Sequence, residues 1–557
     1  MNAPTRTTVS EALLDALYDL GVRDAFGLVG GAIAPLCDAL GRSRLRSFQV
    51  RHEGGALFSA VEASLATGRP VLAFVTTGPG LLNALTGAMA ARWEGAQVIV
   101  ISGATSPAQR GRWAVQESGP ATLPAAVLYQ PTNLFHQARL LDDPADLADA
   151  LAELAEGLTR PTGFVAHLAL PIAVQRAPLP PLPAARPALH RPAPDAAALD
   201  AAAAALADGG YAVWVGWGAR HAAAAVRAFI DHTGAPVVCT PRAKGIFPET
   251  DPRFIGVTGC GGHDHVEATL ASLGCRRMLV IGTRLGEFSS CWAAGLVPPD
   301  GLVHVDVDPA AFGAAYPDAP TLPVHADVAA FLDALRPRLR AAAPRPLPAP
   351  PPGPALVSRG PILPQTLLAH VQAAVLDGSE APLIAESGNA FLWANSLLRV
   401  NTPGRYRVSG LWGSMGHATS GVLGLAVHGK AVALVGDGAM LMMNEVSTAV
   451  HYDLPAVWII LNDARMGIVE KGMQGLGLRP FETDLPPTDF AALARAMGAD
   501  GRRVTDPADL PAALAAALAA PGPFVLDVLI DPDEPSPFSR RVSTLNAMGA
   551  NSDRSPT

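Results

Sequence analysis

At 557 residues, 49% hydrophobic and 16% charged, the chain is too long for one hydrophobic core and too apolar for a disordered protein; two or three domains are expected. Its 54 glycines and 52 prolines follow no period, which excludes a collagen-like fibre, and a net charge of -8 without a basic stripe excludes a nucleic-acid partner. No apolar run reaches the length of a membrane span.

The five cysteines, Cys37, Cys239, Cys260, Cys275 and Cys291, form neither a C-x-x-C nor a zinc spacing. They read as thiols of a reducing compartment. The start from Met1 to Ser10 is polar and lacks a signal-peptide core, so a cytoplasmic protein is expected.

In chain order, the first region alternates helical stretches with the apolar runs "VLAFVTT" near 71 and "AQVIVISG" near 96. These read as buried parallel strands. A proline-rich stretch at 171–194 reads as a stiff surface linker. The second region carries the strand candidates "YAVWVGWG", "APVVCT", "RMLVIGT" and "LVHVDVDP", again an α/β pattern. A second proline-rich crossing follows at 336–357. The third region contains "APLIAESGN", "AVALVGDG", "AVWIILND" and "FVLDVLI", and the tail after Asp531 reads as loosely ordered. The expectation is an α/β chain of three doubly wound parallel-sheet domains, at 1–172, 195–335 and 358–535, the first and third alike in architecture.

The third region carries the chemistry. Gly436-Asp437-Gly438 leaves the carboxyl end of one strand, and Asn462-Asp463 leaves the next. Ligands of open parallel sheets bind outside such ends. Asp437 and Asp463 thus read as converging on one hard cation such as Mg2+, with a phosphate supplying further oxygens. The plainer reading is a helix-capping Asp437 and a turn Asp463. The run "AMLMMNEVSTAV" between them reads as a helix packing back.

These motifs resemble those of the thiamine-diphosphate-dependent enzymes, in the acetolactate synthase and pyruvate oxidase branch. The family motif ends in two asparagines where this chain has Asn462-Asp463. The resemblance implies thiamine diphosphate and Mg2+, with Asp437, Asp463 and the carbonyl of Arg465 as metal ligands. It also implies cofactor contacts from Gly436, Gly438, Ala439 and Ile468. "GLWGSMGHATSGVLGLAV" from Gly410 resembles the loop whose methionine wedges between the cofactor rings. Met415 matches it, and the carbonyl of Gly413 would meet the pyrimidine amino group. "FQVRHEGGALFSAVEA" carries Glu53 where the family's glutamate bonds the pyrimidine N1' and activates the cofactor. "TTGPGLLNALTG" from Thr76 and "FGLVGGAIAPL" from Phe26 are further matches. The domains become pyrimidine-binding, central and diphosphate-binding. The central one resembles a flavin-binding domain that many relatives keep without FAD, so FAD stays an open cofactor. Active sites at subunit interfaces of a homodimer or homotetramer follow from the resemblance.

The resemblance further narrows the reaction to a 2-oxo acid. The segment "PAQRGRWAVQESG" lacks the His-His pair of simple decarboxylases, and Val469 stands where they place a glutamate, with Glu470 one position off. Gln116-Glu117 is similar to the "FQE" of acetolactate synthases, with smaller residues Ala114 and Val115 before it. "SMGHA" instead resembles phosphonopyruvate decarboxylases and makes His417 a candidate proton donor or carboxylate ligand, against a satisfied structural histidine. His52, His136, Arg465 and Lys471 are weaker candidates for substrate contact. The expected activity is decarboxylation of a 2-oxo acid with C–C bond formation to a second carbonyl compound. The alternatives are a decarboxylase releasing an aldehyde, an oxidase or acyl-CoA lyase, and a non-catalytic interaction protein. The retained Glu53, Asp437 and Met415 speak against the last. A dehydrogenase is excluded by the missing G-x-G-x-x-G after a first strand.

Overall fold

The computed structural model describes residues 7–180, 191–537 and 539–550. The first six residues of the first expected domain and the middle of the first proline-rich crossing, 181–190, lie outside the described residues. Every apolar run named above is a strand, and the strands form three six-stranded, all-parallel sheets. The first holds β1 (Asp24–Gly27), β2 (Arg46–Gln49), β3 (Val71–Val75), β4 (Gln97–Ala104), β5 (Gln137–Leu140) and β6 (Phe164–Pro171), in the order β2-β1-β3-β4-β6-β5. The second holds β7 (Tyr211–Val215), β8 (Val237–Cys239), β9 (Phe254–Val257), β10 (Arg277–Ile281), β11 (Leu302–Asp306) and β12 (Thr321–His325), in the order β9-β8-β7-β10-β11-β12. The third holds β13 (Leu383–Ala385), β14 (Tyr406–Val408), β15 (Ala431–Gly436), β16 (Ala456–Asn462), β17 (Asp500–Val504) and β18 (Phe524–Leu529), in the order β14-β13-β15-β16-β18-β17. The first and third sheets therefore share one strand order. The continuous apolar runs of β15 and β16 are explained by helices covering both faces.

The first and third units meet through two helices. Glu53–Thr67 is buried from Glu53 to Ser64, so its composition is apolar all round rather than striped. His417–Ala426 is buried along its whole length. The two approach so closely that a Cβ at Gly424 would sit 2.0 Å from the Ser59 carbonyl oxygen. Ser59 Oγ donates to the Ser420 carbonyl at 3.0 Å. Glu445, from the third unit, accepts the backbone N–H groups of Arg51 and His52 at 3.0–3.1 Å, which fixes the entry to the Glu53–Thr67 helix.

Three expectations are corrected. The stretch from 171 does not leave as a linker: Ile172–Gln175 is a helical turn, and buried Gln175 donates to the Ala32 and Leu170 carbonyls, while Pro178–Leu179 pairs with Thr7–Thr8. The tail after Asp531 is not loose throughout. Ser539–Ala550 is a helix, anchored by Arg540 on Glu267 at 2.8 Å and on Asp264 at 3.2 Å, polar tethers that leave no apolar periodicity to read. The run after Gly438 is broken into Asp437–Met440, a 3-10 turn at Met443–Glu445 and Val446–His451, because Glu445 turns inward to the other unit.

The joint is closed by one buried carboxylate. Glu62 takes Arg407 Nε at 2.9 Å and His417 Nε2 at 2.9 Å, all three being at most 3% exposed. Burial by itself would raise its pKa, but the Arg407 and His417 contacts outweigh that and hold it at about 2. A carboxyl depressed from 4.5 stabilises the fold fully above that value, and its contribution disappears as pH falls through about 2. Glu62→Ala, which strands the Arg407 cation, is expected to cost about 3–5 kcal/mol in denaturant unfolding at pH 7. A loss under ~1 kcal/mol would remove Glu62 from this role.

Candidate cofactor site

A pocket opens at the carboxyl ends of β13, β15 and β16, beside the point between β13 and β15 where the strand order reverses, and gathers Met415, Gly436, Asp437, Gly438, Ala439, Asp463, Arg465 and Ile468. Eight residues singled out from sequence thus share one cavity. Two nine-residue helices, Asn389–Leu397 and Gly467–Gly475, begin at its wall and present N-terminal N–H groups suited to an anion. Ser387 and Asn389, also on this wall, were not foreseen; a strand followed by Ser-Gly-Asn before a helix was the available signal. Gly413 does not line the cavity, but its Cα region faces Ser387, with a Cβ there falling 3.5 Å from Ser387 Oγ.

Asp437 is buried, and its Oδ1 accepts the N–H of Gly438 at 2.7 Å. Burial, then the charge of Asp463, push its carboxyl up to about 7. Burial likewise raises Asp463 to about 6. The Asp463 turn is held by Ala464 at φ 54 and by Leu485 N–H donating to the Ala464 carbonyl at 2.7 Å. Two converging carboxylates without a cation between them are an unstable arrangement, which a divalent ion relieves. Among the described residues no group of three or more His, Cys, Asp or Glu side chains is placed to hold a metal. The two aspartates would therefore need backbone carbonyl and phosphate oxygens to complete an Mg2+ shell. The buried Asn389 Oδ1, on the pocket wall, has no protein partner, as expected of a group awaiting a ligand. The residues present fit thiamine diphosphate with Mg2+.

Glu53 and Gln116 both lie against the Gly78–Gly80 turn, apart from this pocket. Glu53, buried at the start of its helix, accepts Asn83 Nδ2 at 3.1 Å. Gln116, in the left-handed region at φ 54, accepts Thr77 Oγ1 at 3.4 Å through its Oε1. Neither lines the Asp437 pocket. The loop carrying Gln116 projects Trp113 and Val115, 96% and 94% exposed.

His417 is corrected. It is fully buried, with Nε2 on Glu62 at 2.9 Å and Nδ1 on Ser409 Oγ at 3.0 Å, so no ring nitrogen is left for a substrate. It is the satisfied structural histidine. His52 accepts Gly54 N–H at 3.0 Å as a helix cap. His136 accepts Val165 N–H at 3.0 Å and is lowered to about 3 by burial and nearby Arg92 and Arg160. Arg465 pairs with Asp533 at 3.1 Å, and Lys471 donates to the Glu534 carbonyl, so the segment after β18 lies over the Asp463 loop.

A second cavity lies between the first and second units, at the ends of β7, β10 and β11, and is walled by Trp217, Arg220, Arg242, Arg284 and Asp306. Burial lowers Arg220 and Arg242 to about 10, helped by repulsion from Arg242 and Arg407 at Arg220 and from Arg407 and Arg284 at Arg242. Trp217 Nε1 and Arg242 Nε have no partner there.

Three family models match consecutive parts of the chain: "Thiamine pyrophosphate enzyme, N-terminal TPP binding domain" over residues 7–122, "central domain" over 199–335, and "C-terminal TPP binding domain" over 386–528. The chain is 29% identical to an acetolactate synthase large subunit of Parasynechococcus marenigrum, over 95% of this chain and 88% of that protein. It is 27% identical to the putative thiamine pyrophosphate-containing protein YdaP of Bacillus subtilis, over 95% and 93%. It is 28% identical to the putative acetolactate synthase large subunit IlvB2 of Mycobacterium tuberculosis, over 94% and 98%.

A cation-binding role makes a signed prediction. Carboxyls raised from 3.8 to about 7 and about 6 bind protons more tightly when folded, so without metal their contribution to stability is lost as pH rises between those values. Mg2+ competes with these protons. It is expected to raise the thermal midpoint more at pH 8 than at pH 5 in scanning calorimetry; equal shifts would place the ion elsewhere.

Proposed function

Because the chain belongs to the thiamine pyrophosphate enzymes, and is similar to an acetolactate synthase large subunit over 95% of its length, we propose that it decarboxylates a 2-oxo acid and joins the product to a second carbonyl compound. The observation that carries this reading is the pocket itself, in which Asp437 and Asp463 face each other beside Met415 and two helix N-termini. When bound there, thiamine diphosphate supplies a carbon nucleophile that also accepts the electron pair released with CO2.

The chain's own residues do the rest. Asp437, Asp463 and the Arg465 carbonyl hold Mg2+, and the helix N-termini at Asn389 and Gly467 receive the diphosphate. Gly436, Gly438, Ala439 and Ile468 would shape the floor, Met415 would support the cofactor rings, and the Gly413 carbonyl would accept the pyrimidine amino group. Glu53 holds a proton at the pyrimidine N1'. Gln116 stands over the Thr77-Gly78 turn near Glu53, where it can orient the acceptor carbonyl. Glu53 and Asp437 belong to separate clusters in one chain, which supports a homodimer or homotetramer whose sites lie at subunit interfaces. The exposed Trp113, Val115 and Phe481 supply apolar surface for such a contact.

Carboligation is favoured over simple decarboxylation by the relatives, which include acetolactate synthase large subunits; His417, turned into the core on Glu62, is not available as a proton donor. FAD, if bound, would lie in the second cavity, where Arg220 and Arg284 supply cationic groups for a dinucleotide's phosphates. No helix among the described residues is long and apolar enough to cross a membrane, and the reading goes with a cytoplasmic setting.

The test is purified protein with thiamine diphosphate, Mg2+ and a panel of 2-oxo acids, alone and with aldehydes, read by mass spectrometry. Acetohydroxy acids or acyloins are expected. Aldehydes with CO2 and no ligated product would overturn the carboligase reading and leave the decarboxylase. Glu53→Gln is expected to lower turnover about 10²–10⁴-fold while the protein still binds cofactor. Unchanged turnover would contradict the role of Glu53.

A further inference from the structure

Cys260 and Cys291 stand apart from the other cysteines because their sulfurs are 3.8 Å apart, at van der Waals contact. They are 6% and 7% exposed and come from different segments of the second unit, at its joint with the third. Their backbones already touch. Cys260 N–H donates to the Phe288 carbonyl at 3.0 Å, and Thr258 Oγ1 donates to the Ser289 carbonyl at 2.7 Å. Gly259 and Gly261 flank Cys260 at φ 74 and 68, and a Cβ at Gly259 would fall 2.2 Å from the Phe288 carbonyl oxygen. On the other side Cys291 and Trp292 are held at φ 48 and 47, two successive non-glycine residues in the left-handed region. This turn aims the Cys291 sulfur at Cys260. A disulfide of about 2.05 Å requires the two sulfurs to close from this contact.

We propose that Cys260 and Cys291 form a peroxide-sensitive dithiol that closes to a disulfide between the Gly259–Gly261 turn and the end of the Glu287–Ser290 helix. The Cys291 thiol is held below its ordinary pKa by the hydrogen bond from Cys260, with Arg540 adding to this, against the effect of burial. Cys291 is therefore the attacking sulfur. Its thiolate takes one oxygen from hydrogen peroxide, breaking the O–O bond; the leaving hydroxide takes a proton and becomes water. The Cys260 sulfur then attacks the resulting sulfenic acid, the S–O bond breaks, and a second water carries off the Cys260 proton. Two thiols and one peroxide give one disulfide and two waters. The bond would fasten pieces that frame the cofactor pocket. Phe288 packs on Gly410 at the head of the Met415 loop, and the Cys260 carbonyl accepts Asn395 Nδ2 at 3.0 Å from the helix that begins at Asn389.

The experiment uses the full-length reduced protein, exposed to hydrogen peroxide, alkylated under denaturing conditions and digested without reductant for mass spectrometry. A linked peptide holding Cys260 and Cys291, lost on adding dithiothreitol, is expected, with Cys239 and Cys275 still alkylated. In Cys260→Ser the link is absent and Cys291 proceeds to sulfinic acid. Retention of both alkylated thiols under peroxide that oxidises Cys37, or links only to other cysteines, would overturn the proposal. The wild-type map decides even where the variant fails to fold.

Discussion

Everything in this molecule hangs on the contact between the Glu53–Thr67 and His417–Ala426 helices. A carboxylate placed at the centre of such a contact is costly unless fully paired. Glu62 is paired twice, to Arg407 and His417. Arg407 in turn lies 4.5 Å from the Trp217 ring of the second unit, so one buried charge set touches all three units. The same helix carries Glu53 at its start, and Glu445 of the third unit fixes that start. The residue read as the cofactor's activating base is therefore positioned by the packing that joins the units, rather than by a mobile loop.

The pocket obeys the opposite rule. Where Glu62 is paired with two cationic side chains, Asp437 and Asp463 accept only backbone N–H groups and repel each other, and Asn389 Oδ1 on the same wall is buried without a partner. A pocket that gathers two carboxylates and gives them no cationic side chain is suited to a bound cation. Such contrasts between satisfied and unsatisfied buried polar groups separate structural from functional sites.

The strands and the pocket floor were legible in the sequence because they depend on local signals. Continuous apolar runs mark buried parallel strands, and Gly436-Asp437-Gly438 and Asn462-Asp463 mark their ends. His417 stays open between a proton donor and a structural histidine in the sequence for a physical reason: a residue beside a cofactor loop can point either way along a helix, and only Glu62, 355 positions distant in the chain, decides it. Glu62, Arg407 and Glu445 were invisible for the same cause, since a lone charged residue in an apolar helix does not name its partner. The tail helix was missed because its anchors, Asp264, Glu267 and Glu287, are polar and lie in another unit.

The most direct measurement is a crystal structure of the protein grown with thiamine diphosphate and Mg2+. The account predicts density for the diphosphate at the Asn389 and Gly467 helix N-termini, a metal between Asp437 and Asp463, Met415 against the cofactor, and Glu53 of a neighbouring subunit at the pyrimidine. Density for the cofactor in the cavity walled by Trp217 and Arg220, or an Asp437 pocket that stays empty at saturating cofactor, would contradict it.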